Sequence, residues 1–193
     1  WNLLSLDAGY NEKFGVEAAR FLANGLSMSE LRHLRMVNVP MRLNGLAALL
    51  TSHVMTNLES VSIQHIGDLS ARGSTRHLTE DVASQALRIA SLTYCRIHAA
   101  GLQQILTSGA FAKVEDLTLF GNYDLSEAGV SAITSSDQLT RLRRLDLGTC
   151  GFNARGLREI SKWRQLPKLQ SLNLSGNRSE ERRVGKECRS RWS

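Results

Sequence analysis

The side chains best suited to covalent or metal chemistry are three cysteines, Cys95, Cys150 and Cys188, and five histidines, His33, His53, His65, His77 and His98. A cysteine nucleophile needs a depressed pKa and a positioned base. A zinc site needs ligands at spacings such as C-x-x-C or H-E-x-x-H. The 193 residues contain neither spacing, and no phosphate-cradling glycine loop or G-x-S-x-G elbow. A Ser/His/Asp set can be drawn from almost any chain, and nothing local selects one. The expectation is therefore recognition by a surface, with no catalytic residue, cofactor or metal ligand.

Composition narrows this further. Hydrophobic residues make up 42% and charged residues 22%, as in a folded globular chain. There is no apolar run long enough to span a bilayer. The sequence opens at Trp1 without a basic and apolar leader, which reads as a fragment lacking a secretory signal. An odd number of cysteines without paired spacing argues against a disulfide framework and for a cytoplasmic or other intracellular setting. The net charge is +6, but residues 178–193 hold six Lys and Arg against three Glu. Half the excess lies in that tail, and the remainder gives weak grounds for nucleic-acid binding.

The elements that must position any binding residues announce themselves by repetition. The pattern L-x-x-L-x-L, with apolar substitutions, occurs at Trp1-Leu4-Leu6, Leu31-Leu34-Met36, Leu58-Val61-Ile63, Leu87-Ala90-Leu92, Val114-Leu117-Leu119, Leu142-Leu145-Leu147 and Leu169-Leu172-Leu174. The starts are 30, 27, 29, 27, 28 and 27 residues apart. The ninth position holds Cys95, Asn122, Cys150 and Asn177 in the last four units, and Gly9, Val39 and Ile66 in the first three. A buried Asn there can satisfy backbone groups of a tight turn. A second block, a glycine followed by apolar residues at helical spacing, recurs at Gly15, Gly45, Gly101, Gly129 and Gly156. In the Leu58 unit Gly73 occupies this place, with Leu78 and Val82 carrying the helix. Each unit thus reads as strand, turn and helix, unable to bury its apolar face alone but able to stack into a continuous core.

These blocks resemble the ribonuclease-inhibitor-like class of leucine-rich repeat proteins, whose units carry L-x-x-L-x-L-x-x-N/C and a later G-x-x-x-L. The resemblance covers residues 1 to about 177. It implies an α/β leucine-rich repeat solenoid, or horseshoe, of about seven units of about 28 residues, with a parallel concave sheet and convex helices. That class includes inhibitors, GTPase activators and sensor domains, so the fold alone selects no function.

Strand alternation sends positions 3, 5 and 7 of each unit to the open face, with position 8 flanking it. Position 8 sets His65 beside Tyr94, and position 7 supplies Phe120. With Ile89 at position 3 these form a candidate anchor patch. Arg35 at position 5 and Arg144 at position 3 add charge, and Arg144 shares its surroundings with Asp116 and Asp146 as an exposed ion-pair network. Position 2 alternates in sign through Arg32, Glu59, Arg88, Glu115 and Arg143, a charge ladder that would fix register.

The first function this implies is a non-catalytic module that binds a partner protein on its concave face through Arg35, His65, Ile89, Tyr94, Phe120 and Arg144. The alternatives are a GTPase-activating fragment lending Arg35 or Arg144 to a partner's phosphoryl-transfer site, and the sensor or targeting arm of a larger protein. Residues 178–193 break the repeat and lack leucine. They resemble a vector- or adaptor-derived tail, against the competing reading of a native basic tail.

Overall fold

The computed structural model describes residues 2–67 and 86–177. Seven short strands lie side by side in chain order, all parallel: β1 (Ser5–Asp7), β2 (His33–Val37), β3 (Ser60–Gln64), β4 (Ile89–Thr93), β5 (Asp116–Thr118), β6 (Arg144–Asp146) and β7 (Ser171–Asn173). Five helices line one side: α1 (Val16–Asn24), α2 (Arg42–Leu50), α3 (Ala99–Thr107), α4 (Ser126–Thr134) and α5 (Ala154–Ser161). The helix expected around Leu78 and Val82 lies outside the described residues, as do Trp1 and residues 178–193.

The leucine pattern makes the sheet one-sided. From the second unit to the sixth, the residues at positions 1, 4 and 6 are all buried, and they join apolar residues of α1 to α5 in one core. Burying a side chain of this size contributes about 1.5–3 kcal/mol before ordering costs. Each helix glycine makes room for a side chain that precedes the helix in its own unit. A Cβ on Gly45, Gly129 or Gly156 would run into the side chain of Met41, Leu125 or Phe152, four residues earlier.

The first unit departs from its expected registration. Ser5 pairs with His33, Leu6 with Leu34 and Asp7 with Arg35. The unit therefore starts at Leu3 and not at Trp1, and its inward residues are Leu3, Leu6 and Ala8, all packed against the core. Leu4, expected inside, is 49% exposed. Asn11 thereby takes the ninth position, and its Nδ2 donates to the carbonyls of Ala8 and Gly9. Gly15 precedes α1 with open space around its Cβ direction, and Ala19, buried against Gly45, takes the place of the helix glycine.

The ninth-position turn is the most densely bonded feature of the fold. Asn122 is fully buried. Its Oδ1 accepts from the amides of Cys95 and Ile97 at 2.9 and 3.1 Å, and its Nδ2 donates to the carbonyls of Leu92 and Leu119 at 2.8 and 2.6 Å. Each asparagine thus closes its own turn and the preceding one. Asn177 repeats this toward Cys150, Leu147 and Leu174. The cysteines donate from Sγ to carbonyls, Cys95 to Thr93 and Cys150 to Leu119, both at 3.2 Å. The position-2 ladder forms in part: Arg32 meets Glu59 at 3.1 Å, and Glu115 lies between Arg88 at 2.7 Å and Arg143 at 3.8 Å, with no Glu59–Arg88 pair among the described residues.

Candidate functional site

The open face of the sheet ends, at the C-terminal tips of the strands, in a row of left-handed residues. Every position-8 residue has positive φ: Tyr10, Asn38, His65, Tyr94, Gly121, Thr149 and Gly176. The cause is the turn that closes each strand. Position-8 amides donate to the position-7 carbonyl of the next unit, as in Tyr10 to Val37, Tyr94 to Phe120, Gly121 to Gly148 and Thr149 to Ser175. The bend keeps this line of bonds running after the strand proper has ended. Side chains at position 8 are carried on a backbone that glycine would adopt at lower cost.

Three of the expected anchors meet there. The rings of His65 and Tyr94 stack with centroids 5.1 Å apart and planes 14° from parallel. Tyr94 and Phe120 meet edge to face at 5.5 Å and 78°. Such arrangements match the ring quadrupoles. The floor is glycine: a Cβ on Gly121 would lie 2.5 Å from the Tyr94 ring, and one on Gly148 would lie 2.7 Å from the Phe120 ring. The rings therefore lean over the next unit, in space those glycines leave open. Tyr94 and Phe120 are half-buried and His65 is exposed.

Ile89 does not join them. It is 46% exposed, but it stands at the start of β4, four residues before Thr93. At about 3.3 Å per residue this is roughly 13 Å along the strand from the level of Phe120. The arginines are also apart from the rings and already engaged: Arg35 pairs with Asp7 at 2.5 Å and Arg144 with Asp116 at 2.8 Å. Asp146 makes no ion pair with Arg144 among the described residues; its Oδ1 accepts from the Gly148 amide and the Asn173 side chain. Asp7 is held below the usual carboxylate range, chiefly by the Gly9 amide and then by Arg35.

Tyr10 belongs to the position-8 row and is 69% exposed, which the registration from Trp1 concealed. The Cys95 and Cys150 thiols are pushed up to about 12 by burial, which suits packing and opposes nucleophilic chemistry. No group of three or more His, Cys, Asp or Glu among the described residues could hold a metal ion. No helix among them is long and apolar enough to cross a membrane.

The parallel seven-stranded ladder, the inward leucines and the asparagine-closed turns define an α/β leucine-rich repeat solenoid. No family model matches the chain, and no curated protein matches it. Among solved structures it is similar to an internalin from Listeria monocytogenes, at 18% sequence identity and a TM-score of 0.39. That similarity covers 91% of this chain and 56% of the internalin chain, so the chain spans little more than half of that structure's length.

Proposed function

We propose that the chain is a non-catalytic, protein-binding leucine-rich repeat module whose open sheet face receives a partner protein. The observation that carries this reading is the contiguous His65–Tyr94–Phe120 ring cluster on that face. Aromatic side chains held rigidly by their neighbours supply contact area at small entropic cost, and binding energy concentrates in a few such anchors. Tyr94 and Phe120 are the centre, and His65 extends it toward β3. Arg35, Ile89 and Arg144 lie further along the face and serve as peripheral contacts. The ion pairs that hold Arg35 and Arg144 favour this role over donation of a free guanidinium to a partner's active site.

Helices of eight or nine residues in each described helical unit support assignment to the ribonuclease-inhibitor-like class. Residues 1–177 form the repeat domain in this reading, acting inside the cell, and residues 178–193 are foreign to it.

The test is capture from a cell lysate with three baits: the parent chain, Tyr94→Ala/Phe120→Ala, and Arg155→Ala/Arg158→Ala on the outer helix. A protein held by the parent and the helix variant but lost by the ring variant supports the proposal. Equal retention by all three baits overturns it.

A further inference from the structure

Where the strands begin, at the opposite end from the rings, a groove of about 490 Å³ opens between the sixth and seventh units. Its walls carry Arg141, Arg143 and Lys168, with Glu115 as the one carboxylate. Both oxygens of Glu115 are engaged, Oε1 by Arg88 at 2.7 Å and Oε2 by Arg143 at 3.8 Å. Arg141 and Lys168 form no ion pair among the described residues.

The repeat explains how these cations gather. Arg141 and Lys168 each occupy the residue just before position 1 of their units, and Lys113 occupies it one unit earlier. Further toward the N-terminus the same row reads Ala86, Asn57 and Glu30. The solenoid stacks equivalent positions, so a row of lysine and arginine becomes a ridge along one edge. Charge is polarised with it. Residues 140–177 hold eight Lys and Arg against two Asp and Glu, whereas residues 1–139 hold ten against thirteen. The repulsion within such a ridge is relieved by a bound anion.

We propose that this groove binds an acidic peptide segment, a run of Asp and Glu on a partner protein. Two cations from consecutive units that are unpaired among the described residues, Arg141 and Lys168, stand beside one carboxylate that Arg88 and Arg143 already share, and together they give an anion site extended across the strands. A nucleic acid fits less well: no aromatic side chain lines the groove for bases to stack on. The site is separate from the ring cluster, so the two surfaces can be tested independently.

The experiment measures fluorescence anisotropy of a labelled peptide of alternating Asp and Glu, and of an oligothymidylate of equal charge, with the full chain at low and physiological salt. The parent binds the peptide more tightly than the oligothymidylate, and salt weakens the binding. Arg141→Gln/Arg143→Gln/Lys168→Gln weakens it about tenfold, which is about 1.4 kcal/mol. Arg155→Gln/Arg158→Gln/Lys162→Gln removes the same charge from the outer helix side and leaves peptide affinity within about twofold, well under that tenfold step. Lys168→Gln alone, at an exposed side chain, gives a partial loss without risk to the fold. The proposal is overturned if the parent does not bind the peptide. It is equally overturned if the outer-helix variant loses as much as the groove variant, which would mean bulk charge alone, or if the oligothymidylate binds more tightly.

Discussion

Asn122→Ala tests the repeat physics most directly. The side chain makes four hydrogen bonds in a site with no solvent access. Removing it leaves the amides of Cys95 and Ile97 and the carbonyl of Leu92 without these partners. The Leu119 carbonyl keeps the Cys150 thiol at 3.2 Å. Each orphaned buried group costs about 1–3 kcal/mol. Three such groups, partly relieved by a water in the vacated space, give a loss of about 3–5 kcal/mol. That is a large share of the about 5–15 kcal/mol that holds a domain together. Asn177→Ala removes the equivalent bonds at a half-buried site, where water can replace them, and should cost only about 1–2 kcal/mol. Asn122→Asp keeps the acceptor but buries a carboxylate, so its damage should ease in acid as the group protonates. Guanidinium unfolding followed by circular dichroism reads all three. A loss at Asn122 below about 1.5 kcal/mol, or one no larger than at Asn177, would show that the asparagine is not what closes two turns.

Other expectations follow from the same geometry. Leu117→Ala, at a fully buried position-4 site, should lose about 2–5 kcal/mol by the same measurement, and a near-neutral result would break the repeat assignment. Gly121→Ala forces a Cβ to within 2.5 Å of the Tyr94 ring at a φ of +77°; it should destabilise by about 1–3 kcal/mol and alter the near-ultraviolet dichroism of the stacked rings. The Cys95 and Cys150 thiols, neutral in the fold up to about 12, ionise in the unfolded chain near the ordinary value of 9.0. Their stabilisation is complete below pH 9.0 and lost as pH climbs to about 12, so Cys95→Ala/Cys150→Ala should flatten the alkaline fall in unfolding free energy. Arg144→Ala breaks an exposed pair and should change stability by less than about 1 kcal/mol.

Most of the architecture was legible because the fold is one unit written seven times. The leucine spacing places the strands, and the ninth-position Asn and Cys mark the turns. Among the described residues registration failed only in the first unit, where Trp1-x-x-Leu4-x-Leu6 fits the apolar pattern as well as Leu3-x-x-Leu6-x-Ala8. Leucine periodicity alone cannot separate two frames offset by two residues, since both keep the same alternation along the strand. Asn11 in the ninth position was the signal that could have decided it. The ring cluster could be read from positions 7 and 8, whereas Ile89 was grouped with it by face and not by distance along the strand. The basic groove went unseen because its residues precede the strands and become neighbours only when equivalent positions are stacked.

The position-8 row links stability to recognition. Its left-handed backbone is set by the amide-to-carbonyl line joining each turn to the next, so the conformation persists whatever side chain it carries. Glycine meets that demand without strain, and Gly121 and Gly176 do so in two units. Both lie beneath a neighbour's side chain: Gly121 under the Tyr94 ring, and Gly176 with its Cβ direction 2.6 Å from the Thr149 hydroxyl oxygen. Tyr94 and Thr149 are thus each matched by a missing Cβ in the next unit, whereas Tyr10 and His65 are followed by Asn38 and Tyr94. Tyr94 bears a backbone cost of about 1–3 kcal/mol that a glycine would avoid. Its stacking on His65 and edge contact with Phe120 return about 0.5–1.5 kcal/mol per pair. These two terms roughly cancel, so what tyrosine adds to folding is mainly the burial of the covered part of its ring. Tyr94→Gly should therefore cost only about 1–3 kcal/mol of unfolding free energy, mostly the lost burial of the ring, while abolishing partner capture on the open face. A large loss of stability with capture intact would make the rings a packing device and remove the argument for a binding surface.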